Sequence, residues 1–102
     1  MVRELGVLFI RSGMEEDFEA AFREAARILM SCEGCLAVTL MRCLEERSRY
    51  DVRVEWSTVE DHVEGYGKSE RRPQVQALIR PFVERAEPTL HFREVFRSGE
   101  DP

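Results

Sequence analysis

The stretch Tyr50-Asp51-Val52-Arg53-Val54-Glu55-Trp56-Ser57 has the clearest alternation of apolar and polar side chains in the chain. Successive side chains of a β-strand point to opposite faces of a sheet, so the four apolar residues of this stretch share one face. The pattern therefore predicts a strand over 50–57. A polar turn at 45–49 joins it to a second alternating segment at 36–44, and the two segments form a predicted hairpin.

A strand and a helix precede this hairpin, and two helices and a strand follow it. In the segment 3–11, both the odd-numbered and the even-numbered residues are largely apolar, so both faces of the strand are apolar. This pattern is typical of a central strand covered on both sides. Apolar spacing of three and four residues predicts helices over 14–31 and 73–83, with a short helix over about 58–66 and a last strand over 89–97. The order β-α-β-β-α-β predicts an α+β, ferredoxin-like domain with a four-stranded antiparallel sheet and helices on one face.

Length and charge narrow the class of protein. A chain of 102 residues has the size of one domain, and we predict a single domain over 1–102, with an ordered core at 3–97 and a polar tail at 98–102. The net charge of −5 argues against nucleic-acid binding. No apolar run reaches the ~18–20 residues that span a bilayer, and the N-terminus lacks a signal-peptide pattern. We therefore predict a cytoplasmic protein with no membrane partner.

The second face of the predicted sheet has no helix to cover it. Half of the apolar residues of the first strand remain on that face, together with residues such as Val38 or Met41, depending on the register. An open apolar face on a small protein usually marks an interface, and a second copy of the chain is the simplest partner. We predict a homodimer formed through this sheet face.

Six segments, taken in order, resemble a known family. They are GMEEDF at 13–18, EGCL at 33–36, VEWS at 54–57, VEDH at 59–62, PF at 81–82 and HF at 91–92. The set resembles the antibiotic biosynthesis monooxygenase (ABM) domain family of dimeric α+β barrels. The resemblance covers nearly the whole chain. It implies one ABM-like domain whose substrate cleft lies between the sheet and its own helices.

The resemblance also implies a chemistry. Family members of known activity mostly oxidise electron-rich aromatic polyketides or quinols with O₂ and no bound cofactor, while others degrade haem. Trp56 aligns with the family's cleft-lining tryptophan. Asparagines of the polyketide-oxidising members align with Val7 and Val52, and the Trp and His of the haem-degrading members align with Tyr66 and Gln76. The resemblance thus implies monooxygenation without its usual amides, and no haem degradation.

Two histidines are candidate bases. His62 follows Trp56 by six residues on the first turns of the short helix. An imidazole with an ordinary pKa of ~6.5 suits removal of a phenolic proton near neutrality, although a surface or helix-capping role fits the spacing equally well. His91 lies between Leu90 and Phe92 in the last strand. This position favours a histidine paired with a carboxylate on the second sheet face, at the dimer contact, over a catalytic role.

The cysteines and histidines do not predict a metal site. Cys32 and Cys35 have CxxC spacing, and Cys43 is a third thiol. A redox CxxC opens a helix, where the helix dipole lowers the thiol pKa, whereas this pair follows a predicted helix. Two histidines also fall short of the three or four ligands that a zinc site needs.

We therefore predict a cofactor-independent monooxygenase that oxidises an electron-rich aromatic or quinol-type molecule with O₂. The predicted site consists of catalytic Trp56, His62 and Tyr66 and substrate-binding Phe18, Phe22 and His91. Aromatic residues at these spacings also occur in ordinary cores, because they bury large areas. The alternative is a non-catalytic dimeric barrel that binds a small aromatic or apolar ligand, or a protein partner.

Overall fold

A computed structural model, which describes residues 1–100, has the predicted α+β, ferredoxin-like plan. The strands are β1 (Val2–Ile10), β2 (Cys35–Arg42), β3 (Arg49–Trp56), β4 (Val83–Ala86) and β5 (Leu90–Phe92), and the helices are α1 (Glu15–Met30) and α2 (Arg71–Ile79). A π-helix, Asp61–Tyr66, lies between β3 and α2, and a 3₁₀ turn, Arg80–Phe82, follows α2. The sheet is antiparallel, in the order β2-β3-β1-β4, and β5 also pairs with β1.

The sheet has five strands rather than the predicted four. The chain pairs with β1 earlier than predicted, from Val83, and pairing ends at Phe92 rather than continuing to residue 97. Ala86 lies opposite Leu8, and Leu90 lies opposite Leu5. The three residues 87–89 therefore face only two residues of β1, 6 and 7, so the segment contains one extra residue. Proline has no N–H to donate to a ladder. Pro88, in the extra segment, therefore separates β5, which lies in the predicted last strand, from β4, which was not predicted.

The two main helices occupy most of their predicted ranges. At the start of α1, the buried Glu15 carboxylate accepts hydrogen bonds from the Gly13 N–H (3.1 Å) and the Ser48 hydroxyl (2.8 Å). These bonds tie the start of the helix to the β2–β3 loop. The α2 helix ends at Ile79, four residues earlier than predicted, because Pro81 cannot supply the N–H that an α-helix needs and the chain continues as a 3₁₀ turn.

The register of β1 on β3 decides which residues face the helices. Glu4 lies opposite Val54 and Gly6 opposite Val52, and these residues point toward α1 and α2. Leu5 and the other odd-numbered residues of β1 lie on the open face. The prediction that β1 carries apolar residues on both faces is therefore correct. One of its residues that face the helices, Glu4, carries a carboxylate.

Two clusters of buried side chains form the core between the sheet and the helices. One, the Trp56 cluster, consists of Ala25, Leu29, Cys32, Cys35, Val54, Trp56 and Val75. The other, the Phe18 cluster, consists of Ile10, Phe18, Phe22 and Tyr50. Trp56, Phe18 and Tyr50 are each at most 1% exposed, so each cluster is built around fully buried rings.

The open face of the sheet is partly apolar, as the sequence predicts. Leu90 and Phe92 of β5 are exposed there beside Leu5 of β1. The homodimer through this face stays a prediction. Within residues 1–100, no helix has the length and apolar character needed to cross a membrane.

Candidate functional site

A cleft of about 600 Å³ lies between the sheet and the helices. Val52 and Val54 of β3 and Gly6 of β1 contribute to its sheet wall, and Leu29 of α1 and Val75 of α2 contribute to its helical wall. Its largely apolar lining suits an aromatic molecule. The cleft has the position that the family resemblance implies.

One end of the cleft is polar, and Glu4 is at its centre. The Oε1 atom of Glu4 accepts a hydrogen bond from the indole N–H of Trp56 (2.9 Å) and lies 3.3 Å from Nε2 of His62. The Glu4 side chain is 17% exposed and lines the cleft. A carboxylate so enclosed needs such partners, because burying an unpaired charge is costly.

His62 bridges Glu4 and His91. Its Nδ1 atom lies 2.7 Å from Nε2 of His91, on the side of the ring away from Glu4. With the Glu4 carboxylate beside Nε2, we assign the His62 proton to Nε2, since the other tautomer would turn a lone pair toward a negative charge. Nδ1 then accepts the Nε2–H of His91. Both ring nitrogens of His62 therefore face protein groups.

Three rings form an aromatic stack at this end of the cleft: Trp56, His62 and Tyr66. The His62 ring lies 5.2 Å from the Trp56 ring at an angle of 17°, and 6.0 Å from the Tyr66 ring at 21°. Trp56 is fully buried, so it lies behind the cleft wall, whereas His62 and Tyr66 line the cleft. The π-helix can approach the sheet because Gly34 has a positive φ of 82° and no side chain; a Cβ there would overlap the Asp61 carboxylate.

Burial sets the protonation of the two cleft-lining rings. The pKa of His62 lies below its ordinary value, mainly because of burial and also because of the charges of His91 and Arg72, while the Glu4 charge opposes this. Burial, with the Glu4 charge, raises the pKa of Tyr66 to about 12. At neutral pH His62 is therefore uncharged, and Tyr66 keeps its proton and can donate a hydrogen bond.

The other predicted site residues lie in three different places. Phe22 lines the cleft, but Phe18 is fully enclosed between Phe22 and Tyr50, with ring centroids 5.9 and 4.9 Å away. His91 is on the helix-bearing face, not on the second sheet face with a carboxylate as predicted. The cause is the register, which places His91 directly opposite the inward-facing Glu4.

Glu4 is the residue of the candidate site that was not predicted from the sequence. The alternation Glu4, Gly6, Leu8, Ile10 along β1 places it on the same face as three residues that pack under the helices. A lone carboxylate on an otherwise apolar inward face is a signal that could have been found. Its partners are 52 and 58 positions away in the chain, and no local pattern identifies them.

Comparison with known proteins agrees with this geometry. Residues 1–78 match the sequence model of the antibiotic biosynthesis monooxygenase family. The chain belongs to that family. The uncharacterized protein YczJ of Bacillus subtilis (strain 168) is 40% identical over 95 residues, which cover 93% of this chain and all of YczJ.

Solved structures of the ABM family have the same fold. A Bordetella bronchiseptica protein that carries the family's name is 27% identical, with a TM-score of 0.89 over 93% of this chain and 97% of that one. SnoaB, a cofactor-independent oxygenase from Streptomyces nogalater, superposes with a TM-score of 0.84 over 97% of each chain at 16% identity. The second similarity shows the fold alone.

Of the two valines aligned with ABM asparagines, only Val52 lines the cleft. Val7 lies on the opposite face of β1, since its neighbours Gly6 and Leu8 face the cleft. The β1 residues that line the cleft are Glu4, Gly6 and Leu8, none of which carries an amide side chain.

The CxxC cysteines do not form a reactive pair. The thiols of Cys32 and Cys35 are buried and contact the Ile28 carbonyl and the Met30 sulfur. Burial raises the pKa of Cys35 to about 11, which opposes thiolate formation. Among residues 1–100, no three His, Cys, Asp or Glu side chains are grouped so that they could hold a metal.

Proposed function

We propose that the protein is a cofactor-independent monooxygenase that oxidises an electron-rich aromatic or quinol-type small molecule with O₂. The observation that carries this proposal is the apolar cleft of about 600 Å³ that ends at Glu4, His62 and Tyr66. Membership of the ABM family supports monooxygenation, and the similarity to SnoaB supports chemistry without a cofactor. The predicted homodimer and cytoplasmic location belong to the same proposal.

The proposed reaction begins at the polar end of the cleft. A phenolic hydroxyl there loses its proton, and the electron-rich ring passes one electron to O₂. The resulting radical and superoxide combine to form a C–O bond, which gives a ring hydroperoxide. Cleavage of the O–O bond leaves one oxygen on the ring as a quinone carbonyl, while the other leaves as water with the two hydrogens that the substrate loses.

The protein contributes position and a dry environment. The apolar walls orient the ring and exclude water, and Tyr66 donates a hydrogen bond to the oxygen that becomes negative. In this arrangement the substrate rests against His62 and Tyr66, and Trp56 supports them from behind. His91 acts on the substrate only through His62, and Phe22 contributes part of the wall.

Oxygen uptake by the purified, chelator-treated protein tests the proposal, with anthrones, quinols and naphthols as substrates. We expect saturable uptake, and water and a quinone as products. Val52→Phe should abolish most of this uptake because it fills the cleft, whereas Val95→Phe, the same change at a residue that is 93% exposed, should not. Uptake that is equal in both variants would place the reaction outside the cleft.

The second candidate function is binding without catalysis. It is favoured by Val52, an apolar residue on the cleft wall where oxidising relatives align an asparagine. Saturable binding of naphthols with no oxygen uptake across the substrate panel would support this function over the monooxygenase.

A further inference from the structure

The two carboxylate oxygens of Glu4 have different surroundings. Oε1 accepts the Trp56 N–H and lies 3.3 Å from Nε2 of His62. Among residues 1–100, no side chain donates a hydrogen bond to Oε2. Because Glu4 lines the cleft, Oε2 is the carboxylate oxygen left to accept a hydrogen bond from a molecule bound there.

The other polar groups at this end are poor proton acceptors. His62 directs Nε2 to Glu4 and Nδ1 to His91, so neither nitrogen presents a free lone pair to the cleft. Tyr66 is protonated at neutral pH and acts as a donor. Trp56 is fully buried and has only an N–H. Among these groups, only the Glu4 carboxylate offers a strong acceptor to a substrate hydroxyl.

We propose that Glu4 is the catalytic base that takes the substrate's hydroxyl proton at Oε2, with Trp56 and His62 as the residues that position it through Oε1. This inference rests on the proposed monooxygenase function. As the O–H bond breaks, its proton moves to Oε2 and one electron moves from the ring to O₂. Glu4 then returns the proton to the peroxide, and it leaves in the water that forms when the O–O bond breaks.

The surroundings of Glu4 fit this role. A carboxylate in a water-poor cleft is an established kind of enzyme base toward weakly acidic groups. The groups that face it are His62 and Tyr66 of the π-helix, His91 of β5, Arg72 of α2 and Cys35 at the start of β2. Arg72 is the one permanent cation among them, and none of them is a second carboxylate.

Turnover of Glu4→Gln is the first test. The amide oxygen can still accept the Trp56 N–H, but an NH₂ group replaces the acceptor at Oε2. We expect kcat to fall about 10²–10⁴-fold, the acid limb of the pH–rate profile to disappear, and anaerobic affinity for 1-naphthol to fall only about fivefold, as expected for one lost hydrogen bond. Glu4→Asp, which keeps a carboxylate but withdraws it, should recover part of the rate.

Glu55→Gln is the matched control, because Glu55 is 19% exposed on the opposite face of β3, where it pairs with Arg3. It should keep the wild-type rate and pH profile. An unchanged kcat in folded Glu4→Gln, verified by circular dichroism, would overturn the assignment of Glu4 as the base and leave the proposed function intact.

Binding of 4-nitrophenol tests the geometry without turnover. If the hydroxyl of the bound probe donates to Oε2, the Glu4 charge opposes formation of the phenolate, so the bound probe should ionise at a higher pH in the wild type than in Glu4→Gln. Glu55→Gln should behave like the wild type. The same ionisation pH in all three proteins would overturn the proposal, even if no substrate in the panel were oxidised.

Discussion

The aromatic stack and the Phe18 cluster lie under the same sheet face but serve different purposes. Each is built around a fully buried ring and contains a tyrosine. In the Phe18 cluster the Tyr50 hydroxyl donates a 2.5 Å hydrogen bond to Glu19, so the adjoining pocket of about 460 Å³ meets a hydroxyl that already has a protein partner. In the aromatic stack the Tyr66 hydroxyl has no protein partner among residues 1–100, and the ring lines the cleft.

The difference shows that aromatic residues do not by themselves identify a site. Phe18 and Trp56 are both completely buried, and either could be an ordinary core residue. What distinguishes the Trp56 side is a carboxylate on the inward face of β1 and two polar rings that line the cleft of about 600 Å³. Polar atoms that face the cleft and have no protein partner within the described part of the chain, rather than rings, distinguish the candidate site from the Phe18 cluster.

The largest expected effect is on stability, from Phe18→Ala. Phe18 is fully buried and packs on Phe22, Tyr50 and Phe82, so the cavity left behind should lower the free energy of unfolding by about 3–5 kcal/mol. Urea denaturation measures this loss. The same substitution at Phe96, which is 81% exposed, should change stability by less than ~0.5 kcal/mol.

Affinity for 1-naphthol distinguishes the two regions in the same variant. Phe18 does not line the cleft, so the folded fraction of Phe18→Ala should bind the probe as the wild type does. A large loss of affinity in that fraction would show that the Phe18 cluster is part of the site.

The sequence predicts the parts of this fold that depend on neighbouring residues. The alternation at 50–57 correctly places Trp56 on the buried face, and the apolar spacing correctly locates α1. The pairing of β4 and β5 with β1 depends on a register between distant segments, which no local pattern contains. The contacts of Glu4 with Trp56 and His62 were missed for the same reason, because they join segments more than 50 residues apart.

Removal of each tyrosine hydroxyl should sharpen the comparison. Tyr50→Phe loses a hydrogen bond to a carboxylate that is one-third exposed, so we expect a loss of about 1–2 kcal/mol in unfolding free energy. Tyr66→Phe should change stability by less than ~0.5 kcal/mol, but should weaken 1-naphthol binding about fivefold, as expected for one lost hydrogen bond. If Tyr66→Phe were the less stable variant and bound the probe normally, the two regions would have exchanged roles.

The smallest expected effect is a pH dependence of stability that arises from His62. Its pKa is lowered in the folded state, mainly by burial, while the unfolded value is ~6.5. Between these two values the unfolded chain binds more protons, so stability rises with pH there. The contribution is complete above about pH 6.5 and is lost as the pH falls toward the folded pKa. Urea denaturation between pH 5 and 8 should show this slope, and His62→Gln should remove most of it.

The fluorescence of Trp56 follows the same titration in the folded state, since it is the single tryptophan and stacks on His62. Arg72 lowers the pKa of His62 through its positive charge, so Arg72→Gln should move the fluorescence midpoint to higher pH. Arg80→Gln, a similar change at an exposed arginine outside the cleft, should leave it in place. Glu4→Gln should move it to lower pH, because the Glu4 charge favours the imidazolium. Shifts of opposite sign in the Arg72 and Glu4 variants would show that both charges act on His62. The same midpoint in all variants would show that the Glu4 charge does not act on His62, which would contradict the polar end of the cleft described above.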